Sequence, residues 1–336
     1  MDKNRRIFEI GAGVILGALV LRLGIGGFFD PMLKLLHSED LYSIMLYLET
    51  GRIVRFSPSL EEPENFAGES PPPSASVQKA LPVFSEADAA GVQVWNNAGI
   101  QPDIRTLLTR ELNWDLTGDA PTVLILHTHT TESYTKSGEN YQETSAFRTL
   151  DEQYNMLSVG DRVAQVLTDA GITVIHDRQL HDYPSYNGSY TDARRSISEI
   201  LRENPSIRLV LDLHRDASGD LNNQFRPVTQ VNGQSCAQLM LVMGTNASGQ
   251  YHPNWEENLA LGLKLQVQLE SIAPGITRPV CLRAQRFNQD MSAGALLVEV
   301  GAAGNTHPEA IRAAEILAQA IVSLALGALP EEPGMA

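Results

Sequence analysis

From residue 120 onwards, short apolar runs alternate with longer stretches in which apolar residues recur every three or four positions. The runs at 123–126 and 207–213 have the length and composition of buried strands. The stretches 154–170 and 255–272 have the period of helices. Strands that alternate with helices predict an α/β fold, a twisted, mostly parallel sheet flanked by helices.

Polar side chains follow or interrupt three of these apolar runs. Residues 127–132 read HTHTTE, residues 214–216 read HRD, and Glu299 lies inside the apolar run 295–300. In parallel sheets, ligands bind beyond the carboxyl ends of the strands. Two histidines and a carboxylate are the usual ligands of a catalytic zinc ion, and a further carboxylate can act as general base. The three clusters together favour a metal-dependent hydrolase.

Each cluster also has a structural interpretation. His127 and His129 are two residues apart and could point to one face of a strand, but at most one need be a ligand. Glu299 is the sharper signal, because a carboxylate in an apolar strand must be paired, protonated or functional. Its structural alternative is an ion pair with Arg283 or Arg286.

The charge balance excludes some functions. The chain has 25 Lys and Arg against 40 Asp and Glu, a net charge of -15 that argues against a nucleic-acid partner. A nucleotide-binding α/β protein would have a Gly-rich turn after the first strand, where this chain has HTHTTE. Cys236 and Cys281 are expected to be small buried residues, and their pairing is left open.

The N-terminal apolar stretch, 7–29, predicts a membrane anchor over residues 1–29. Its uninterrupted centre, 10–21, is shorter than the roughly 20 residues that a bilayer needs, although Arg22 can snorkel. Basic residues before the stretch predict a single-pass cell-membrane protein whose catalytic domain is extracytoplasmic. A cleaved signal peptide and a buried helix are the alternatives.

Residues 30–94 predict a juxtamembrane segment followed by a linker. The part from 57 to 84 contains six prolines among acidic and serine residues, and such a stretch cannot bury enough surface to fold. The catalytic domain is therefore expected over 95–330.

Five longer segments carry a resemblance to a known family. They are VLILHTHTTESY at 123–134, YPSYNGSYTDARRSI at 183–197, IRLVLDLHRDA at 207–217, LVMGTNASGQYHPNWEEN at 241–258 and RFNQDMSAGALLVEVGAAGNT at 286–306. In these segments, over about 95–325, the chain resembles the stage II sporulation protein P family, which is related to the zinc N-acetylmuramoyl-L-alanine amidases.

The resemblance implies an amidase-like fold in which His129, His214 and a carboxylate hold Zn2+ and Glu299 is catalytic. It implies a peptidoglycan hydrolase that cleaves the amide between muramic acid and the stem-peptide L-alanine, and also peptide cross-links. The setting would be engulfment during sporulation, with membrane partners that include a lytic transglycosylase. A zinc peptidase of other specificity and an inactive cell-wall-binding scaffold are the alternatives; the scaffold would lack ligands that are all present here.

The third zinc ligand is the point where the resemblance gives no single residue. In the related amidases it is a Glu at the start of the helix after the first His, a region where this chain offers Asp151 and Glu152. Glu132 belongs to the first cluster, is closer to His129 in the sequence, and ranks ahead of both. Arg215 and Arg286 are candidates for binding substrate carboxylates, with structural ion pairs as the alternative.

Overall fold

The computed structural model describes residue 84 and residues 86–112, 114–220 and 223–327. The predicted anchor and nearly all of the predicted linker lie outside these residues. None of the helices in these ranges is long and apolar enough to cross a membrane. Phe84 is buried and Val94 pairs with Val280, so packing begins ahead of the predicted domain start at residue 95.

Seven strands form the central sheet, in the order β1-β12-β11-β13-β6-β2-β5. Their bounds are β1 Val94–Asn96, β2 Val123–Leu126, β5 Val174–His176, β6 Leu209–Asp216, β11 Leu239–Gly244, β12 Val280–Arg283 and β13 Ala295–Ala302. The remaining strands form two-stranded ribbons: β3 Glu143–Ser145 with β4 Arg148–Thr149, β7 Gly219–Asp220 with β8 Asn223–Gln224, and β9 Val228–Val231 with β10 Gln234–Ala237.

The prediction of a mostly parallel sheet is confirmed, with one exception. Strand β11 runs antiparallel to β13, whereas the other neighbouring pairs of the sheet are parallel. The chain from β6 to β11 contains only the short ribbons β7–β10 and no helix. Parallel strands need a long crossover connection, usually a helix, so a strand reached without one runs antiparallel. The carboxyl ends of β5, β2, β6 and β13 therefore share one edge of the sheet.

Within the described ranges, six α-helices accompany the sheet: α1 Glu86–Gly91, α2 Ile104–Thr109, α3 Met156–Asp169, α4 Ser189–Glu203, α5 Trp255–Ile272 and α6 His307–Leu326. Helices α3, α5 and α6 pack in the main core against the face that carries Ile125, Leu211 and Val298. Helix α4 packs through Ala193 and Ile197 on the opposite face. Successive strand residues point to opposite faces, so this opposite face also carries His214 and Glu299.

Local sequence explains how several elements begin and end. The Asn155 side chain accepts a hydrogen bond from Leu157 N at the start of α3, and Gly171, with φ 82°, follows its end. The predicted capping box of Thr306 and Glu309 opens α6. Both cysteines are buried, as expected, and neither forms a disulfide.

Candidate active site

The three predicted polar clusters meet at the carboxyl edge of β2, β6 and β13. Glu299 on β13 is the register partner of His214 on β6, and Leu126 at the end of β2 is the partner of Asp212. His129 lies in the turn that follows β2. The structure therefore brings His129, His214 and Glu299 together.

The rings of His129 and His214 stand edge to face, with their centroids 5.2 Å apart. Both side chains are buried, and Nδ1 of His129 has no hydrogen-bond partner. Burial lowers the pKa of His129 to about 3, although the charge of Glu132 opposes this. His129 is therefore a neutral imidazole, the form that binds metal ions.

Two tyrosines that sequence reasoning missed cover the histidines. Tyr186 stacks on His129 with 4.6 Å between ring centroids and 14° between ring planes, and its hydroxyl lies 3.2 Å from Nε2. Tyr190, in the first turn of α4, packs edge-on to His129 at 5.6 Å and parallel to His214 at 6.5 Å. Both tyrosines belong to the segment YPSYNGSY at 183–190, one of the segments that resemble the family, and this is the signal in the sequence that points to them.

Asp212 contacts Nε2 of His214, the ring nitrogen on the opposite side from Glu132. Asp212 accepts hydrogen bonds from the Thr128 backbone N at 2.8 Å and from the Thr128 hydroxyl at 2.6 Å, and its Oδ1 lies 2.9 Å from His214 Nε2. That last pair is close but poorly aligned for a hydrogen bond. Burial would lower the pKa of His214, but the nearby Asp212 together with the charges of Glu132 and Glu299 outweighs burial and raises the pKa to about 9. Nδ1 of His214 is left facing the site.

Glu132 lies between the histidines and two arginines. Its Oε1 is 3.2 Å from Arg148 Nη2 and 3.4 Å from Arg215 Nη1, while Oε2 accepts from the Arg215 backbone N and lies 3.9 Å from His214 Nδ1. Burial would raise the pKa of Glu132, but the neighbouring positive groups, Arg215 first, lower it to about 2. Glu132 is therefore ionised and presents one oxygen towards His214.

Glu299 lacks the partners that a structural role would require. Its Oε2 is shielded from solvent and has no hydrogen-bond partner. Arg286 is ion-paired with Asp290 and not with Glu299, and no ion pair joins Glu299 to Arg283 among the described residues. Burial raises the pKa of Glu299 to about 8, which the charge of His214 only partly offsets. A carboxyl group in this state can hold or release a proton near neutral pH.

The structure does not present Arg215 to a substrate. Its side chain is buried, Nε donates to Ser133 O and Nη2 donates to Phe147 O. Its positive charge stabilises the Glu132 carboxylate. This corrects the suggested role of Arg215 in substrate binding. Arg286, by contrast, remains partly exposed beside the site.

The two other candidates for the third ligand are exposed, whereas His129 and His214 are buried. Glu152 is exposed and ion-paired with Arg178 at 2.7 Å. Asp151 is exposed in the turn before α3, where it accepts a hydrogen bond from Gln153 N. Glu132 is thus the candidate that the structure places beside His214.

His127 has a different environment from His129. Its Nδ1 is 3.1 Å from Leu213 O and its Nε2 is 2.8 Å from Nε2 of His176. The pair packs so closely on α3 that a Cβ at Gly160 would lie 2.6 Å from His127 Nε2. Both nitrogens of His127 are therefore used inside the fold.

The donor set fits a divalent ion, although no three His, Cys, Asp or Glu side chains of the described ranges already lie at ligand spacing. His129 Nδ1 is buried without a partner, and Glu132 Oε2 faces His214 Nδ1. The arginine side chains hold Oε1 of Glu132, while Oε2 accepts from the Arg215 backbone N and keeps a second lone pair for a cation. Two imidazoles and one carboxylate leave a fourth position open in a tetrahedral zinc site.

Backbone strain is concentrated around this site. Phe147, Phe287 and Asn288 have φ of 54°, 50° and 58°, in the left-handed region that side chains disfavour. Phe147 O accepts from Arg215, and the Phe287 ring packs 6.0 Å from Tyr190. Strain of this kind is kept where the surrounding structure fixes the position of a functional group.

Comparisons with known proteins identify the family. The family model for stage II sporulation protein P (SpoIIP) matches residues 57–322. Stage II sporulation protein P of Bacillus subtilis (strain 168) is 29% identical over 269 residues, which are 76% of this chain and 61% of that protein. This chain thus spans less than two thirds of the length of that relative.

Solved structures give a weaker likeness. The N-acetylmuramoyl-L-alanine amidase AmiC2 of Nostoc punctiforme is 15% identical, with a TM-score of 0.36 over 62% of this chain and 98% of that one. The amidase Ami1 from Mycobacterium smegmatis is 15% identical, with a TM-score of 0.37 over 64% of this chain and 98% of that one. These scores are too low to carry an assignment, which rests on the match to the family model. The chain belongs to the stage II sporulation protein P family.

Proposed function

We propose that this protein is a zinc-dependent peptidoglycan hydrolase that cleaves the N-acetylmuramoyl-L-alanine amide during sporulation. The observation that carries the proposal is the meeting of His129, His214 and Glu299 at one sheet edge, with shielded side-chain atoms that have no hydrogen-bond partner among the described residues. Family membership supports the sporulation setting and a cell-wall substrate.

In this proposal His129, His214 and Glu132 hold the ion. Bound zinc would lower the pKa of a water molecule towards ~7 and polarise the scissile carbonyl. Asp212 orients His214, and the arginines at Glu132 fix the orientation of that carboxylate. Tyr186 and Tyr190 wall the histidines off from bulk water.

Glu299 is the proposed general base. It accepts a proton from the attacking water and then delivers it to the leaving amine of the stem peptide. Its shielded position in an otherwise apolar strand, beside His214, suits a group that must exchange a proton near neutral pH.

Metal analysis and product identification test the proposal. The purified full chain should contain about one zinc ion, and digestion of isolated peptidoglycan should release stem peptides with a free L-alanine amine, identified by mass spectrometry. His129→Ala and His214→Ala should lose both zinc and activity. His127→Ala should lose stability but bind zinc when folded; the opposite result would exchange the roles of His127 and His129. Products cut only within the stem peptides would instead favour a zinc peptidase of other specificity.

The predicted anchor leads to a proposal for location. We place the catalytic domain outside the cell membrane, where peptidoglycan lies, together with other engulfment proteins that include a lytic transglycosylase. A protease added outside intact protoplasts should therefore digest the domain, and protection of the domain from this protease would contradict the orientation.

A further inference from the structure

Two arginines share one buried carboxylate beside the candidate active site. Arg194 donates to both oxygens of Asp290, at 2.9 and 2.8 Å, and Nη1 of Arg286 lies 3.4 Å from Asp290 Oδ2. The Asp290 side chain is 5% exposed, whereas those of Arg194 and Arg286 are 35% and 31% exposed. The cluster therefore carries a net positive charge at the surface of an acidic protein.

Arg286 is bound to Asp290 more weakly than Arg194 is. Charge-assisted N–H···O bonds are usually 2.7–2.9 Å long, so its 3.4 Å contact is weak. Both oxygens of Asp290 already accept from Arg194. Among the described residues, Asp290 is the only ion-pair partner of Arg286, so its planar guanidinium keeps donors for a further carboxylate.

The cluster is coupled to the site through α4 and Tyr190. Tyr190 and Arg194 are four residues apart and lie on one face of that helix. Tyr190 stacks on His214 with 6.5 Å between the ring centroids, and Arg194 follows one helical turn later on α4. Phe287, which follows Arg286 in the chain, packs 6.0 Å from Tyr190, so both arginines lie next to residues that line the site.

The segment that carries Arg286 is held in a fixed position. The left-handed residues Phe287 and Asn288 follow it, and Asn288 Nδ2 donates to Tyr190 O at 2.8 Å. His252, which is 2% exposed, interacts electrostatically with both Asp290 and Arg286, and neither of its ring nitrogens has a hydrogen-bond partner. A strained, anchored loop next to a buried unpartnered imidazole is typical of a binding site.

We propose that Arg286, supported by Arg194, binds a carboxylate of the substrate peptide near the scissile amide. This inference rests on the proposed function, and it adds a preference for stem peptides that carry a free carboxylate close to that amide. A substrate with a carboxamide at that position lacks the charge that the guanidinium recognises.

The test compares two synthetic muramoyl peptides that differ in one group. One has glutamate with a free backbone carboxylate as its second residue, and the other has the carboxamide there. The wild-type chain should show a kcat/KM about tenfold or more higher on the acid, through a lower KM, because a hydrogen-bonded charge is lost in the amide. Arg286→Gln should bring the ratio close to one.

A matched control separates this site from general charge effects. Arg195 is adjacent to Arg194 in sequence, but its side chain is 67% exposed and ion-paired with Asp192. Arg195→Gln removes the same charge and should keep the preference. A wild-type ratio near one, or a full preference in Arg286→Gln, would overturn the carboxylate site.

A binding measurement tests the carboxylate site even if the protein does not hydrolyse the peptides. Calorimetric titration of the full chain with the two peptides should show tighter binding of the acid to the wild type and equal binding of both to Arg286→Gln. Preferential binding without hydrolysis would refute the proposed reaction and keep the carboxylate site. Equal binding to the wild type would refute the site, whatever the rate.

Discussion

Two glutamates close together in sequence, Glu299 within β13 and Glu309 in the first turn of α6, have opposite environments. Glu309 Oε1 accepts from Ser235 Oγ at 2.6 Å, and Oε2 accepts from Asn305 Nδ2 at 3.2 Å and Thr306 N at 3.0 Å. Arg226 also donates to both oxygens. Glu299 Oε2 accepts from no donor.

The pKa values of the two groups differ accordingly. Burial raises the pKa of Glu299 to about 8, because little stabilises its charge. Burial would also raise the pKa of Glu309, but hydrogen bonds from Arg226, Ser235 and Thr306 outweigh it and lower the pKa to about 2. A carboxylate with a full set of donors stabilises the fold, whereas one without them has been kept at a cost in stability and is a candidate for chemistry.

The largest expected difference between the two glutamates is in the rate of hydrolysis after substitution. Glu299→Gln keeps the shape of the side chain but cannot take a proton, so hydrolysis should fall by a factor of ~10² to 10⁴. The variant should retain zinc and still bind peptidoglycan, because Glu299 is not counted among the ligands. Product release from isolated peptidoglycan and metal content measure the two effects.

The outcomes of Glu299→Gln distinguish three roles. Loss of zinc would make Glu299 a ligand rather than the base. Loss of amide cleavage with cross-link cleavage retained would require a second active site. Unchanged rates on both bonds would remove Glu299 from the mechanism.

The same substitution at Glu309 should affect stability instead. Glu309→Gln removes the charge that binds Arg226 and weakens the cap of α6, at a cost of about 2–3 kcal/mol in the free energy of unfolding. Activity per folded molecule should stay near the wild-type value. Denaturant unfolding measures the first effect, and a stable but inactive Glu309→Gln would contradict the contrast between the two glutamates.

These two glutamates also show what could be predicted from the sequence. The capping box at Thr306 and Glu309 follows from local spacing, and the unusual environment of Glu299 follows from one charge in an apolar strand. The partners of Glu309 come from distant segments, since Arg226 precedes β9 and Ser235 lies on β10. Pairing over such distances has no local signature.

The positions of the side chains around the site also depend on packing between distant segments. Tyr186 reaches His129 because α4 packs across β2 and β6, which no feature of residues 183–190 specifies. Arg215 follows His214 directly, and the sequence could not show that its guanidinium turns inward to Ser133 and Phe147. The donor residues were predictable from their types, and their orientation required the fold.

Asp212, a buried carboxylate within the site, extends the comparison. Like Glu309 it accepts hydrogen bonds, in its case from Thr128, but its Oδ1 also faces His214. Asp212→Asn should weaken zinc binding about 10- to 100-fold, measured by competition with a chelator, because the imidazole loses its orienting charge. Asp216→Asn is the control, since that residue of β6 is paired with Arg278 at 2.8 Å. Equal zinc affinity in both variants would show that Asp212 only stabilises the turn at Thr128.

The smallest effect is a pH dependence that belongs to Glu309. Its folded pKa of about 2 lies below the unfolded value of ~4.3, so ionised Glu309 stabilises the native state. That contribution is complete above pH ~5 and is lost as the pH falls through the interval from ~4.3 to 2. The difference in unfolding free energy between the wild type and Glu309→Gln should therefore be constant from pH 7 to 5 and shrink towards pH 3. Because glutamine does not titrate, the difference isolates this one carboxyl from the other acidic groups. Denaturant unfolding at pH 7, 5, 4 and 3 measures it, and a difference that stayed constant down to pH 3 would mean that the hydrogen bonds to Glu309 stabilise its neutral form equally well.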